Sequence, residues 1–346
     1  MEYPKFKVGT RCFTFNQAPY ITDTMNGFTM QKTDFPFVCC IVDDASTDGE
    51  QKVILDYVMD NFDLSEGSAY YQKETDYAHI TYAKHKTNAN CYFVVLLLKE
   101  NHYSRHELKL QYLKEWMDIV LYEAFCEGDD YWVDENKLQV QYDFLESNAE
   151  CGMCYTNCNA LYQQKGILVH KLLSKNTSQF SLQEFILSRA YVAPPTWMWR
   201  RGLLKEPNIS IKSMDGTFLY FANFLATTNV HYFNRVTATY RVLNESACHF
   251  TDFSKYIKRE KNILSVQLAL CDYYGLCESS KSNCKQLYYK NTLANYALHD
   301  CKELVKEAEK EIYHKSIKDW FLIHIASRSG LLRRALLFLK NAKNHI

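Results

Sequence analysis

The stretch Cys126–Trp132, CEGDDYW, directly follows the apolar and aromatic run IVLYEAF (Ile119–Phe125). Three carboxylates, Glu127, Asp129 and Asp130, thus fall within four positions at the end of what reads as a buried strand. Acids this close repel one another unless something positive sits between them. A second cluster, VDDASTDG (Val42–Gly49), ends another apolar run in the same way. Strands that run into acids suit an open α/β sheet, where ligands bind beyond the carboxyl ends of the strands. Both clusters are therefore expected on one edge.

The flanking segments support that class. KVGTRCFTF (Lys7–Phe15) and FPFVCCIVD (Phe35–Asp43) read as strands, rich in β-branched and aromatic residues, and so do HITYA (His79–Ala83) and YFVVLLL (Tyr92–Leu98). Between them APYITDTMNGFTMQ (Ala18–Gln31) has apolar residues at helical spacing. STDGEQKVILDYVMDNF (Ser46–Phe62) reads as a helix with Ser46 or Thr47 as N-cap, and KLQVQYDFLES (Lys137–Ser147) as an amphipathic helix. Strands alternating with helices imply a mostly parallel sheet flanked by helices. After residue 250 helical patterns take over: Lys258–Gly275, Leu287–Ala297, Lys302–Ile312 and Ile317–Ala326. The expected organisation is an α/β catalytic-type domain over residues 1–250 and a helical C-terminal region over 251–346.

Composition narrows the function. Lys plus Arg and Asp plus Glu both number 40 in 346 residues, which argues against a nucleic-acid binder. The 13 cysteines are odd in number and scattered, and no signal-peptide pattern follows Met1, so a reducing, cytoplasmic location is expected. Apolar runs fall far short of the ~20 residues a spanning helix needs. The last helix, GLLRRALLFLKNAKNHI (Gly330–Ile346), sets basic residues against Leu and Phe. Such a helix either lies peripherally on an anionic bilayer, here the inner face of the plasma membrane, or packs its apolar side on the domain.

The simplest counter-charge for an acidic strand end is a divalent cation. Mg²⁺ or Mn²⁺ prefers carboxylate and phosphate oxygens, and magnesium takes one or two carboxylates plus substrate phosphates. Glu127 and Asp129, with Asp130 beside them, fit a metal bridging to a diphosphate. Solvated turn residues around Gly128 are the alternative, as turn and cap roles are for Asp43 and Asp44. A phosphoacceptor receiver domain would also pair acids at a strand end. It requires a phosphorylatable Asp on the next strand and a later strand-end Lys, and neither is found.

Taken together, CFTFNQAPYITDTMNGFTMQKTDFPFVCCIVDDASTDG (Cys12–Gly49), CEGDDYWVDENKLQVQYDFLE (Cys126–Glu146) and VTATYRVLNESACH (Val236–His249) resemble family-two glycosyltransferases of the GT-A fold, most closely those that build bacterial surface polysaccharides. The resemblance covers residues 5–250. It implies a GT-A-like sheet and an inverting transfer of a sugar from a nucleoside diphosphate donor, a UDP-sugar foremost, to a hydroxyl acceptor on a glycan or lipid-linked glycan. It also implies that Asp44 contacts the nucleotide base, that Asp43 lines the same pocket, and that Thr14, Phe15 and Asn16 cover base and ribose. Glu127 and Asp129 match the metal motif, followed by Asp130. Arg241 matches a basic residue near the donor phosphates, with a surface salt bridge as the alternative, and His249 is either a third metal ligand or structural. Two departures stand out: Phe13 where many relatives have Pro, and Glu127 where many have Asp. Glu keeps the ligand chemistry.

Inverting transfer needs a carboxylate to take the acceptor proton. The family places it at a helix start, roughly twenty-five residues before a YR element, and Asp215 holds that position relative to Tyr240. A helix N-cap is the other reading of Asp215, and the two are compatible. Glu206 is the other nearby acid and lacks the family context. A non-catalytic sugar-nucleotide or glycan-binding module on the same fold is the functional alternative.

Three further motifs point elsewhere. CGMCYTNC (Cys151–Cys158) lacks the distant second pair of a zinc site and reads as a buried strand. His102 and His106 of HYSRH are spaced to share a helix face but have no third ligand. WMWRR (Trp197–Arg201) offers rings either to an acceptor sugar or to the core.

Overall fold

A computed structural model describes residues 2–173, 179–243 and 252–344. In chain order the first part comprises β1 (Val8–Thr14), α1 (Ile21–Thr29), β2 (Phe37–Asp43), α2 (Glu50–Asn61), β3 (Phe62–Asp63), β4 (Tyr70–Glu74), β5 (Ala78–His85) and β6 (Cys91–Leu98). It continues with α3 (Lys114–Met117), β7 (Tyr122–Phe125), β8 (Tyr131–Trp132), α4 (Lys137–Ser147), β9 (Cys151–Tyr162) and β10 (Ile167–Val169). Then come α5 (Leu182–Ser188), β11 (Trp197–Arg200), α6 (Gly216–Thr227), β12 (Asn229–Val242), α7 (Phe253–Tyr273), α8 (Glu278–Leu298), α9 (Lys302–Glu311), α10 (Ile317–Phe321) and α11 (Gly330–Asn344). The chain divides into two compact units. One is Met1–Phe180 with Tyr191–Lys205 and Asn223–His249; the other is Ser181–Ala190 with Glu206–Ala222 and Phe250–Ile346.

The first unit holds the whole sheet, ordered β3-β5-β6-β2-β1-β7-β11-β9-β12-β8, with β4 on β5 and β10 on β9. Its centre, β6-β2-β1-β7, is parallel throughout. Antiparallel pairs extend it on both sides, through β5 on β6 and β11 on β7. The sequence of β2 shows why its core is two-sided. Phe37, Cys39 and Ile41 pack with Met25 and Phe28 of α1, Ile54 of α2 and Leu138 of α4. The alternate residues Val38, Cys40 and Val42 join Tyr82, Leu96, Trp116 and Met117 on the opposite face. Strand side chains alternate with period two, so a strand apolar at every position must be covered on both faces. Each large side chain buried this way contributes about 1.5–3 kcal/mol. The fold class is therefore α/β, a large central sheet flanked by helices and followed by a helical C-terminal part.

Helix α1 is the element that locates the acidic turn. Gly27 lies flat against the backbone of β8, where an added Cβ would sit 2.8 Å from Trp132 N and 3.1 Å from its O. The Phe28 and Trp132 rings meet edge to face at 4.9 Å. Gln31 then stitches the helix end to the chain beyond β8, donating to Asp134 O at 2.9 Å and accepting from Leu138 N at 3.1 Å. Trp132 itself is buried and donates its indole N–H to Pro195 O at 2.9 Å. The Lys137 ammonium sits 4.6 Å over its ring, and burial pushes that group's pKa down to about 8.

The second unit is helical. The Asp252 carboxylate caps α7 through Ser254 N at 2.7 Å and Lys255 N at 3.1 Å. Tyr288, Leu293, Tyr296, Val305 and Ile323 form its core, and α10 runs on into a π-helical turn over Leu322–Ala326. The Arg189 guanidinium forks onto the buried Glu260 carboxylate at 2.8 and 3.2 Å. Among the described residues no helix is long and apolar enough to cross a membrane.

The Gly27 contact gives a test whose sign is opposite to helix propensity. Ala is favoured over Gly inside a helix by about 1 kcal/mol. Here its methyl would meet main-chain atoms that cannot swing away, an overpacking that costs about 1–3 kcal/mol. Gly27→Ala should therefore lower the melting temperature. A variant as stable as the parent would show that α1 can back off from β8.

Candidate functional site

Because β6, β2, β1 and β7 run parallel, their carboxyl ends share one edge of the sheet, with Thr14, Asp43 and Leu97 in register across three strands. Four loops leave that edge side by side. The strand order turns back between β1 and β7, since the chain leaves β1 for β2 on one side and later adds β7 on the other. In open α/β sheets that is the place where a ligand crevice forms.

The loops after β1 and β2 are knitted together by side chains rather than by backbone pairing. Glu50, fully buried, accepts from the Thr14 hydroxyl through Oε1. Its Oε2 accepts Gln17 N–H at 2.8 Å and the Ser46 hydroxyl at 2.9 Å. Asn16 N–H donates to Ser46 Oγ at 2.8 Å, while Asn16 Oδ1 accepts Thr47 N–H at 2.8 Å. Asp48 Oδ2 accepts Ala18 N–H at 2.9 Å. Burial pushes the Glu50 carboxyl above the usual range, although its three donors work against that. The tension of this loop pair shows in Asn16 and Ala45, both in the left-handed backbone region at φ 54° and 61°. Of the residues expected to cover a base and ribose, Phe15 and Asn16 are exposed, and Thr14 is buried as a partner of Glu50.

The acidic turn docks against this pair. Gly128 N–H donates to Phe13 O at 3.2 Å and Cys126 N–H to Arg11 O at 3.1 Å, so the turn continues the β1 pairing past the end of β7. Thr24 of α1 holds it from behind, donating to Gly128 O at 2.9 Å and Asp130 O at 2.6 Å. Its three acids have different surroundings. Glu127 is exposed, Asp129 partly buried and Asp130 buried. Asp130 Oδ1 accepts Arg241 N–H at 2.7 Å. Burial, and then the Asp129 charge, push the Asp130 carboxyl well above the usual range, and burial raises Asp129 too.

Arg241 is nearly buried beside them. Its Nε donates to Asp129 O at 2.7 Å, one terminal nitrogen reaches Asp23 Oδ2 at 2.8 Å, and the other reaches Gln163. Its guanidinium carbon lies 4.6 Å from the Tyr20 ring centre and 5.1 Å from that of Tyr131. The group is thus positioned by both rings, and it ties the main chain of the turn to Asp23 of α1 and to Gln163 just after β9.

Asp43 and Asp44 diverge. Asp43 Oδ1 accepts Ser46 N–H at 3.0 Å and Gln51 Nε2 at 2.6 Å, while the buried Oδ2 has no hydrogen-bond partner. Asp44 instead captures the loop after β6, accepting His102 N–H at 2.7 Å, Tyr103 N–H at 3.0 Å and the Lys109 ammonium at 2.9 Å. Burial alone would raise the Asp44 pKa. The Lys109 hydrogen bond and charge and the two backbone donors outweigh it and hold the carboxyl below the usual range.

Other expected residues fall elsewhere. Asp215 lies in the second unit, where Oδ1 caps α6 by accepting Phe218 N–H at 3.2 Å and the Thr217 hydroxyl at 2.6 Å. His249 lies outside the described residues. His102 sits in a turn, not a helix, and its ring meets Tyr112 OH at 2.9 Å. Cys151, Cys154 and Cys158 are buried thiols of β9, and Trp197 and Trp199 are core residues of β11. Glu50, Gln17, Thr24 and Lys109 were not singled out by motif. For Glu50 alone there was a signal, an acid opening a helix after a turn.

Among the described residues no three His, Cys, Asp or Glu side chains stand together as a metal-holding set. The donors on the turn, Glu127 and Asp129, are hard oxygens and two in number. They fit a cation that takes one or two carboxylates and completes its shell with phosphate and water. Asp130, turned to Arg241 N–H and buried, belongs to the support of the turn.

The fold is shared with solved structures. A crystal structure of S. aureus TarS in complex with UDP-GlcNAc matches 89% of this chain and 82% of its own, with a TM-score of 0.54 at 15% identity. A longer TarS structure matches 95% of this chain and 54% of its own, with a TM-score of 0.53 at 16% identity. At this identity the likeness shows a shared fold alone. In sequence, uncharacterized proteins of Mycobacterium tuberculosis and Mycobacterium bovis are 26% identical over 155 residues, 43% of this chain. The match spans about a third, 34%, of the length of those relatives. No family model matches the sequence.

The Asp44 strap predicts a pH and exchange signature. Its folded pKa is depressed, so its contribution to stability is fully present above the unfolded value of about 3.9 and is lost as pH falls through the folded pKa. Asp44→Ala should cost about 2–3 kcal/mol at neutral pH, the worth of hydrogen bonds to a charged group. It should also speed hydrogen exchange at His102 and Tyr103. Unchanged protection of those two amides would show that the loop holds itself.

Proposed function

We propose that this protein is an inverting glycosyltransferase that moves a sugar from a nucleoside diphosphate donor, a UDP-sugar foremost, to a hydroxyl of a glycan or lipid-linked glycan in surface-polysaccharide synthesis. The observation that carries the reading is the convergence of the β1, β2 and β7 loops, with all their acids, at one carboxyl edge of a fold shared with TarS. TarS, which has this fold, was solved with UDP-GlcNAc, a donor of the proposed class.

In this reading Phe15 and Asn16, exposed on the first loop, cover the base and ribose. Asp44 is the acid nearest the base, and Asp43 lines the same pocket. Asp44 shapes the pocket wall by fixing the Asn101–Lys109 loop. Glu127 and Asp129 would hold a Mg²⁺ or Mn²⁺ ion, with His249 as a further ligand. Bound there, such a cation supplies positive charge to offset that developing on the departing diphosphate. Arg241 and Asp130 keep the turn in place, and the guanidinium adds positive field at the phosphate end of the site. Asp215 takes the proton of the acceptor hydroxyl as that oxygen attacks the anomeric carbon and the bond to the diphosphate breaks. We assign the catalytic domain to residues 1–250.

The deciding assay is nucleoside diphosphate release over a panel of donors, with Mn²⁺ and with chelator. Release from no donor would favour a binding module on the same fold.

Two substitutions separate the roles. Asp129→Asn should keep the fold and abolish divalent-dependent UDP binding, because a neutral amide is a poor ligand. Calorimetric UDP affinity that remains metal-dependent in the variant would remove Asp129 from the metal site.

Asp215→Asn isolates proton transfer, since Asn caps a helix about as well as Asp. Turnover should fall ~10²–10⁴-fold, chiefly in kcat, with donor affinity kept. Near-normal kcat, with any loss confined to thermal stability, would leave Asp215 as a cap alone.

A further inference from the structure

The hairpin of β9 and β10 has a composition that the sugar-transfer reading does not use. All three residues of β10 are exposed, Ile167 at 47%, Leu168 at 41% and Val169 at 40%, and so is Tyr162 at 40%. In register, Ile167 faces Tyr162 across the hairpin and shares a face with Val169, while Leu168 lies on the other face beside Leu161. A strand ordinarily turns polar residues to water on at least one face, yet β10 presents apolar groups on both. The hairpin bonds only to β9, which leaves its outer side unpaired among the described residues.

The chain segment that forms this tip carries charge of one sign. From Cys151 to Gln183 the chain contains no Asp or Glu, although acids and bases balance at 40 each in the whole sequence. Lys165 and Lys171 flank β10, with His170 beside them, and all three are exposed. Neither lysine is in an ion pair among the described residues. Exposed aliphatic side chains and a Tyr, rimmed by unpaired cations and free of acids, complement a surface that is apolar beneath and anionic at its face.

We propose that the Tyr162–Lys171 hairpin tip docks on an anionic lipid bilayer, with Ile167, Leu168 and Val169 entering the headgroup–acyl boundary and Lys165 and Lys171 facing lipid phosphates. Its base adjoins the acidic turn through Gln163, which the Arg241 guanidinium holds, but binding there needs neither donor nor turnover. The tyrosine suits the boundary, where an aromatic ring with a polar tip is favoured.

The experiment is sedimentation of the full chain with phosphatidylcholine vesicles, with and without phosphatidylglycerol. The parent should bind the phosphatidylglycerol vesicles, and salt should weaken the binding. Ile167→Asp with Val169→Asp should reduce it at least about tenfold. Lys165→Gln with Lys171→Gln should reduce it about fivefold per lysine, and only on the anionic vesicles. All four side chains are exposed, and an unchanged melting temperature and UDP affinity would confirm that the variants fold. Parent protein that ignores both vesicle types, or an Ile167→Asp/Val169→Asp variant that binds like the parent, would overturn the proposal. So would loss of a concentration-dependent dimer in that variant without any vesicle binding, which would assign the tip to a second copy of the chain.

Discussion

One buried carboxylate, Glu50, holds the ends of β1 and β2 in a single arrangement. Burying a charged group is costly unless hydrogen bonds replace the lost water. Glu50 has that replacement from three donors on two separate loops, Thr14, Gln17 and Ser46. Neither loop can move without leaving the carboxylate with an unfilled oxygen, so the two behave as one piece. The acidic turn leans on the same piece through Phe13 O and the Thr14 side chain. Asp44 extends the logic outward to the loop after β6. The carboxyl edge thus rests on buried acids, Glu50 and Asp44, that bind the loops from within.

That arrangement explains how carboxylates can crowd a strand end without disrupting it. Glu50 and Asp130 are buried and hydrogen-bonded, and Asp44 is paired with an ammonium. Asp129 and Glu127 are the two less buried acids of the turn. At that less buried side of the turn a cation would find hard oxygen donors already gathered. The preorganisation is structural: α1, β8 and the Arg241 guanidinium fix the turn before any ligand arrives.

The sheet was legible because its signal is local. Apolar β1, β2, β6 and β7 announce themselves residue by residue, and the two acidic clusters end strands as expected. The flanks of the sheet were harder. In β12 the run NVHYFNRVTATYRV has strand-forming residues, but its partner β9 lies far earlier in sequence and the register slips at bulges. Partner choice at that distance leaves no periodic mark. In the site, motif residues such as Asp43 and Glu127 could be named in advance, whereas their supports could not. Lys109 meets Asp44 across 65 positions and Thr24 meets the acidic turn across more than a hundred. Side chains joined only by the fold carry no local pattern to read. WMWRR shows the converse, aromatic residues that suggested a sugar platform and proved to be core.

Gly128 carries a consequence at the level of the gene. A Cβ at this position would lie 2.1 Å from Thr14 Oγ1 and 2.5 Å from both Thr14 Cβ and Gln17 Oε1. Every missense change of a glycine codon adds at least that one carbon, so no single-nucleotide substitution offers a milder intermediate. Neighbouring acids can be exchanged for one another, as Glu for Asp, and still keep an oxygen to offer. The codon between them has no such latitude.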